Sequence, residues 1–323
     1  MLPEPSRRLL LAAAEPYGDL PLVWRAAGRL GIPVAAAAPA VDAGLVEFGA
    51  RVRFRHPLLR SASYRAASVA DRQAMHGALA GATDPQTAPE RRAWHRAQAA
   101  TGPDEEVAAE LERSACRAQA RGGLAAAAFL KRSALLTADP ARQADRTLAA
   151  AQASLEAGAF GTALELLAAA GTGPLNELQS ARADLLRGQV VFASGLGSEA
   201  PPLLLKAAKR LESLDLSLAR ETYLSAWMAA LFAGRLAGAG DMAEVCRAAR
   251  AAATALNAEA DAVCEATVSR AAPFTAMMLA SFRGNPTEAA PLIEGTIAAA
   301  TAGGPGHRGS LRAVDGRHRL QRS

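Results

Sequence analysis

Alanine-rich helical hairpins recur along most of the chain, and this repetition limits the possible fold more than any other feature. From Asp104 to Ala302, runs of alanine and leucine at helical spacing alternate with glycine turns. The turn glycines are Gly122, Gly158, Gly195, Gly234 and Gly284. The first four recur roughly every 37 residues, close to the tetratricopeptide period of about 34. Because a helix pair cannot bury its apolar face alone, neighbouring pairs must stack. We therefore predict a tetratricopeptide-like α-solenoid over residues 104–302.

Residues 1–100 follow a different pattern, which we interpret as a small winged-helix-like unit. Apolar residues alternate with charged ones from Val46 to Phe54 around a turn at Gly49, which predicts a β-hairpin. Pro57 follows directly and suits the first position of a helix, where a missing N–H costs nothing. Helices are also predicted over Ser6–Ala14, Asp19–Leu30, Val69–Ala82 and Pro89–Ala100, with an alanine-rich connector over Pro33–Pro39.

The composition favours a mainly α fold. Half of the residues are hydrophobic but only 4% are aromatic, and alanine and leucine, which are strong helix formers, dominate. No run of 18 apolar residues is present, and the short apolar stretch Leu9–Ala14 is too brief for a signal-peptide core. The three cysteines form no close pair, which indicates a reducing compartment. We expect a cytoplasmic protein without a membrane partner.

The excess positive charge of the chain is concentrated near its C-terminal end. The net charge is +5, and residues 303–323 contain five arginines against the single acidic residue Asp315. This segment is rich in glycine and has no apolar period, so we predict a basic, disordered tail. Its composition is also what a shifted reading frame or a truncated copy of a GC-rich gene would give. The high isoelectric point is therefore no evidence for a nucleic-acid-binding face on the folded part.

Three runs of sequence resemble a known family of regulators. FRHPLLRSASYRAA at 54–67, RRAWHRAQAA at 91–100 and ARETYLSAWMAALFAGR at 219–235 are similar to the large ATP-binding transcriptional regulators of the LuxR type. Such a regulator has a nucleotide-binding domain, a winged-helix lid, a long helical-repeat region and a C-terminal helix-turn-helix. The resemblance covers residues 1–302. It implies that residues 1–100 are the lid of a signalling ATPase and that residues 104–302 are the repeat region.

The resemblance also selects one candidate nucleotide-sensing residue, His56. In related signalling ATPases a histidine on the winged helix senses the nucleotide phosphates, and His56 matches that position. An imidazole at a helix N-terminus can bind an anion together with the backbone N–H groups there. The alternative is that His56 only caps or packs against the helix. Arg55 and Arg60 either add positive charge to the same place or are solvated.

Catalytic and cofactor motifs are missing from the sequence. A Walker A loop needs a lysine after its glycines, and none of Lys131, Lys206 and Lys209 follows a glycine. His76 and His95 lie on predicted helices without a carboxylate or cysteine at ligand spacing, so we expect no metal site. No G-x-S-x-G motif occurs, and Cys246 and Cys264 are interpreted as core residues, as are the tryptophans. We expect no enzyme activity and no cofactor in this chain, with ATP or ADP bound only by another domain of the full-length family.

These expectations give one functional interpretation and one alternative. The chain is predicted to be the central sensor and relay region of an ATP-dependent LuxR-type regulator, non-catalytic by itself. Its repeats would receive a protein partner or a small effector, with a groove near Trp227 as one place for it. Self-association is expected, and DNA would be bound only through a domain outside this chain. The alternative is a stand-alone helical-repeat scaffold for protein interactions.

Overall fold

A computed structural model describes residues 2–119, 123–195, 198–233, 244–249 and 251–252, and these residues are mainly helical. The chain divides into two compact units, Met1–Gly195 and Leu196–Ser323. Within the described residues, the only strands are those of one short hairpin. None of the helices among these residues combines the length and the hydropathy that crossing a bilayer requires.

The first part of unit one contains the predicted hairpin and the helices around it. Its elements are α1 (Glu4–Ala13), α2 (Leu20–Arg29), a 3-10 helix (Val34–Ala37), α3 (Ala38–Asp42), β1 (Val46–Phe48), β2 (Val52–Phe54), α4 (Pro57–Ala66), α5 (Val69–Ala82) and α6 (Pro89–Ala99). Asp19 caps α2 by accepting from the N–H of Leu22, and Gly31 follows the helix with φ +67°. The predicted connector at 33–39 is instead helical from Val34 onward. Pro39 fits the first turn of α3, because an N–H at that position would have no partner within the helix.

The hairpin is attached to the helices through both its backbone and its side chains. β1 and β2 pair antiparallel with Val46 opposite Phe54 and Phe48 opposite Val52. Val46 and Val52 are buried, and the ring of Phe48 lies 5.4 Å from that of Trp24 on α2. The inward-facing residues therefore join one core with α1, α2 and α5. The outward-facing residues of both strands are charged and exposed, as expected of a half-buried ladder.

Gly18 brings the loop between α1 and α2 against the second strand. Its carbonyl accepts a hydrogen bond of 3.0 Å from the N–H of Val52. Its φ is +62°, and a Cβ atom at this position would lie 2.9 Å from the carbonyl oxygen of Val52. Only glycine satisfies both conditions without a shift of the backbone.

The second part of unit one consists of helices that contact their neighbours in sequence. They are α7 (Glu105–Gln119), α8 (Leu124–Leu135), α9 (Pro140–Glu156), α10 (Phe160–Ala170) and α11 (Glu177–Ala193). From α6 to α11 each helix contacts the next, and α6 and α9 also contact the helix two places further on. Alanines are fully buried between them, which permits close approach. The predicted glycine turns at Gly158 and Gly195 have φ values of +74° and +83°.

Ion pairs join α7 to α9. Arg146 of α9 is buried, and its guanidinium lies 2.8 Å from a carboxylate oxygen of Glu105 and 3.0 Å from one of Glu112. It also donates a hydrogen bond to Thr137 Oγ1. The hydrogen bond from Arg146 lowers the pKa of Glu105 below its usual value. The acidic start of α7 is thus paired with arginine rather than simply solvated.

Unit two is described over two helices and a short helical stretch. Its helices are α12 (Ala200–Leu211) and α13 (Leu216–Ala233), and residues 244–249 and 251–252 are also helical. Trp227 and Tyr223 of α13 are buried, as the packing interpretation expects, and the hydroxyl of Tyr223 donates to Glu212. Cys246 is buried as well. Gly122, Gly234, Cys264, Gly284, the repeats beyond residue 252 and the basic tail at 303–323 lie outside the described residues.

We predict that Gly18→Ala destabilises the protein more than Gly31→Ala does. Both glycines have positive φ, which costs a non-glycine residue about 1–2 kcal/mol. A Cβ at Gly31 meets no atom within 4 Å, whereas one at Gly18 meets the backbone of Val52. We expect losses of about 1 kcal/mol for Gly31→Ala and about 3 kcal/mol for Gly18→Ala, measured by urea unfolding. Equal losses would show that the close approach to Val52 imposes no constraint.

Candidate functional site

The sequence-predicted site residue His56 lies at the exposed start of α4. Its Nδ1 accepts a hydrogen bond of 3.2 Å from the N–H of Leu58, so the ring caps the helix. The capping role considered in the sequence analysis is therefore present. The nucleotide-sensing role stays a prediction. Arg60 does not extend freely into solvent, because its guanidinium donates to the carbonyl of Pro16 and lies 5.9 Å from the ring of Phe54.

A chain of buried polar side chains lies deeper in the same unit. The hydroxyl of Tyr64 on α4 is 2.9 Å from Nε2 of His76 on α5. Nδ1 of His76 is in turn 3.0 Å from Nδ1 of His95 on α6. Both histidines are buried, with 9% and 2% of their surfaces exposed. Three helices thus contribute one side chain each to a continuous hydrogen-bonded chain.

The inner end of this hydrogen-bonded series of side chains has an unpaired atom. Nε2 of His95 is buried and has no hydrogen-bond partner among the described residues. The same is true of Oε1 of Glu15, in the loop after α1. This oxygen lies 3.7 Å from Nε of Arg91, which is too far for a hydrogen bond, although the charges attract. The other carboxylate oxygen of Glu15 accepts from the N–H of Tyr17 at 3.0 Å.

Burial shifts the protonation equilibria of His76, His95 and Glu15 toward their neutral forms. Burial, with the nearby charges of Arg132 and Arg72, lowers the pKa of His76 to about 4. Burial, with His76 and Arg91, lowers the pKa of His95 to about 3. Burial also raises the pKa of Glu15, against the opposing attraction of Arg91. Both imidazoles are therefore neutral at pH 7, and each carries one proton that it can donate.

Two cavities share the residues that carry the unpaired atoms. The first, of about 400 Å³, lies among α1, α4, α5 and α6, and Tyr64 and His76 are part of its wall. The second, of about 530 Å³, lies between α6 and the helix pair α7–α8, and Phe129 is part of its wall. Glu15, Trp94 and His95 line both cavities. The unpaired oxygen and nitrogen thus belong to residues that both cavities share.

The second cavity lies at a junction that polar contacts and packing hold together. Arg96 of α6 pairs with Glu106 at 3.1 Å and with Glu110 at 2.5 Å, both on α7. Arg132 of α8 donates a 2.7 Å hydrogen bond to the carbonyl of Ala97 at the end of α6. The ring of Trp94 meets that of Phe129 edge to face, with 5.8 Å between centroids. Helix α6 is therefore fixed to α7 and α8 along its length.

This site was not predicted from the sequence. No metal site was expected at His76 and His95, and no role was predicted for Glu15 or Tyr64. Within the described residues no group of three or more histidine, cysteine or acidic side chains is placed to hold a metal ion. The one available signal was that two histidines occur on neighbouring amphipathic helices. Their facing each other depends on how α5 and α6 pack, which a single sequence does not specify.

Comparison with known proteins adds no relative. No protein-family model matches the chain, no curated protein matches it, and no solved structure matches it. The interpretation of this site consequently depends on its own geometry and chemistry.

We predict that the histidine pair makes the protein less stable in mild acid. Because both folded pKa values lie below the usual 6.5, the unfolded chain binds more protons between about pH 6.5 and pH 4, and stability falls as the pH falls through that window. From pH 7 to pH 5 the free energy of unfolding should drop by roughly 2 kcal/mol for each ring. Glu15 offsets part of this loss, since its raised pKa favours the folded state at lower pH.

The variant His95→Gln separates this effect from general destabilisation. Urea unfolding at pH 7 and pH 5 should give a pH-dependent drop about 2 kcal/mol smaller in the variant than in the unsubstituted protein. The comparison uses the difference between the two pH values, so any constant loss from the substitution cancels. The same drop in both proteins would contradict the assignment of the acid sensitivity to the histidine pair.

Proposed function

We propose that this chain is the sensor and relay region of an ATP-dependent transcriptional regulator similar to the LuxR type. In this proposal residues 1–100 act as a winged-helix lid and residues 104–302 as tetratricopeptide-like repeats. The region has no catalytic role of its own. It couples the binding of an effector or a protein partner on the helices to the state of an ATP-binding domain outside this chain.

The observation that supports a relay is an apolar cluster that spans the two parts of unit one. Ala93 and Ala97 of α6 pack with Val107, Ala108 and Leu111 of α7 and with Leu136 after α8. All six are buried, and Ala93, Ala97, Ala108 and Leu111 are completely so. Close-packed interiors transmit displacement because they have few voids to absorb it. A shift of α7 or α8 would therefore move α6, and with it the hairpin-containing part.

The position of His56 is compatible with the lid role in this proposal. The residue begins an exposed helix that follows the hairpin directly, and arginines flank it. The N–H groups of a helix N-terminus favour an anion such as a nucleotide phosphate. In the relay, His56 would sense ATP or ADP held by the neighbouring domain. DNA binding would belong to a further domain, and self-association of the regulator would follow from the nucleotide state in the cytoplasm.

The native gene product tests this proposal. Antibodies against residues 104–119 would be used to isolate the protein from its own cells, followed by photolabelling with 8-azido-ATP. We expect a labelled polypeptide longer than 323 residues that contains this chain, with labelling competed by excess ATP. His56→Ala, introduced at the chromosomal locus, should weaken the labelling severalfold while Glu47→Ala, on the exposed face of β1, leaves it unchanged.

The opposite result has a clear meaning. An isolated product of 323 residues that carries no label and co-purifies with no ATP-binding polypeptide would contradict the regulator. It would favour the stand-alone helical scaffold instead, whose partners would then be identified by cross-linking on the helices of residues 104–195.

A further inference from the structure

We propose that Glu15 and His95, together with the two cavities they share, form a binding site for a small neutral ligand that carries an amide or lactam next to an aromatic ring. The effector predicted from the sequence binds the repeats, whereas this site lies between α6 and its neighbours. The proposal does not rest on the regulator function, since binding is measured on this chain alone.

The two unpaired atoms are the first reason for a ligand. A buried polar atom that has lost water and gained no partner costs about 1–3 kcal/mol. Nε2 of His95 and Oε1 of Glu15 are both in this condition and belong to residues lining the same cavities. Glu15 is 3% exposed and His95 is 2% exposed. A bound molecule that pairs both atoms would remove both penalties at once.

The hydrogen-bonded chain determines what His95 offers. Each neutral imidazole has one N–H and one acceptor nitrogen. If Tyr64 donates to Nε2 of His76, then His76 donates from Nδ1 to His95, and the proton of His95 is on Nε2. This direction satisfies every O–H and N–H of the chain except the last. The reverse direction leaves the tyrosine proton without an acceptor among the described residues. Each direction leaves one proton without a partner, and in the proposed complex the first direction holds, with His95 Nε2–H as a donor to the ligand.

Glu15 offers the complementary group. One of its carboxylate oxygens is already bonded to the N–H of Tyr17, and Oε1 can accept from the ligand. A ligand that forms hydrogen bonds with both residues must present a donor to Glu15 and an acceptor to His95. A primary amide or a lactam has an N–H and a C=O on the same planar group and meets both requirements.

The surrounding charges select against a cation in both cavities and against an anion at the unpaired oxygen of Glu15. Glu15 would repel an anion placed at its unpaired oxygen, because like charges in a poorly solvated site interact strongly. Arg60, Arg65 and Arg72 line the first cavity and Arg91 lines the second, so a cation would be repelled on both sides. A neutral ligand avoids both costs.

The apolar walls suit an aromatic ring. Trp94 and Phe129 line the second cavity together with Ala125 and Ala128. Tyr17 closes another part of it, with the guanidinium of Arg91 held 4.3 Å from its ring centroid. Aromatic side chains favour edge or offset contacts with a second ring. A volume of about 530 Å³ lies within the usual range for small-molecule sites.

Benzamide is the probe that tests this site, with benzoate and ethylbenzene as matched controls. Binding would be followed by the indole N–H signals of the three tryptophans in the nitrogen-15-labelled chain, with Trp94 assigned from a Trp94→Phe sample. We expect benzamide to shift the Trp94 signal with a Kd of about 1 mM or tighter, and to leave Trp24 unmoved. Benzoate should bind at least about 10-fold more weakly, as expected from repulsion by Glu15.

The variant Glu15→Gln makes the test specific. It removes the charge but keeps the shape, so the preference for benzamide over benzoate should fall by about 10-fold. Glu47→Gln, on the exposed face of β1, should leave the preference unchanged. Circular dichroism would verify that both variants are folded. A Trp94 signal that does not move with benzamide, equal affinities for all three probes, or an unchanged preference in Glu15→Gln would each overturn the proposal.

Discussion

Helix α6 is packed on two sides, and the rest of unit one depends on that arrangement. On one side His95 meets His76 of α5, and on the other Ala93 and Ala97 pack against α7. An eleven-residue helix cannot be stable alone in water, so α6 exists only because both neighbours cover it. The hairpin-containing part and the following helices therefore share a single element instead of meeting through a linker.

This double packing also explains where the polar groups lie. Small alanines face α7 and allow close approach, whereas the α5 side carries His95 and borders the first cavity. Burying polar groups there costs stability, and the hydrogen bonds from Tyr64 through His76 to His95 compensate for only part of that cost. The uncompensated atoms, at Glu15 and His95, lie beside the shared helix. In our proposals, a ligand bound there would contact the element through which the relay operates.

Features determined by neighbouring residues could be predicted from the sequence, and features determined by packing could not. The hairpin, the cap at Asp19 and the helix beginning at Pro57 follow from local rules of turn and capping chemistry, and the structure contains all three. The helical segment at 34–42 was missed because alanine and proline suit both a connector and a first turn. The pairs His76–His95 and Arg146–Glu105 join residues on different helices, and no periodicity within one helix specifies such partners.

The most direct test of the shared helix is hydrogen exchange in two variants that each remove a buried leucine. Leu111→Ala opens the cluster at α6 and α7, whereas Leu167→Ala on α10 opens a cluster further along the chain. Each should cost about 2–5 kcal/mol. We expect Leu111→Ala to accelerate amide exchange in α5 and α6 as well as in α7, and Leu167→Ala to leave α5 and α6 protected. Faster exchange confined to α7 and α8 in Leu111→Ala would contradict the account, because the two parts would then be independent.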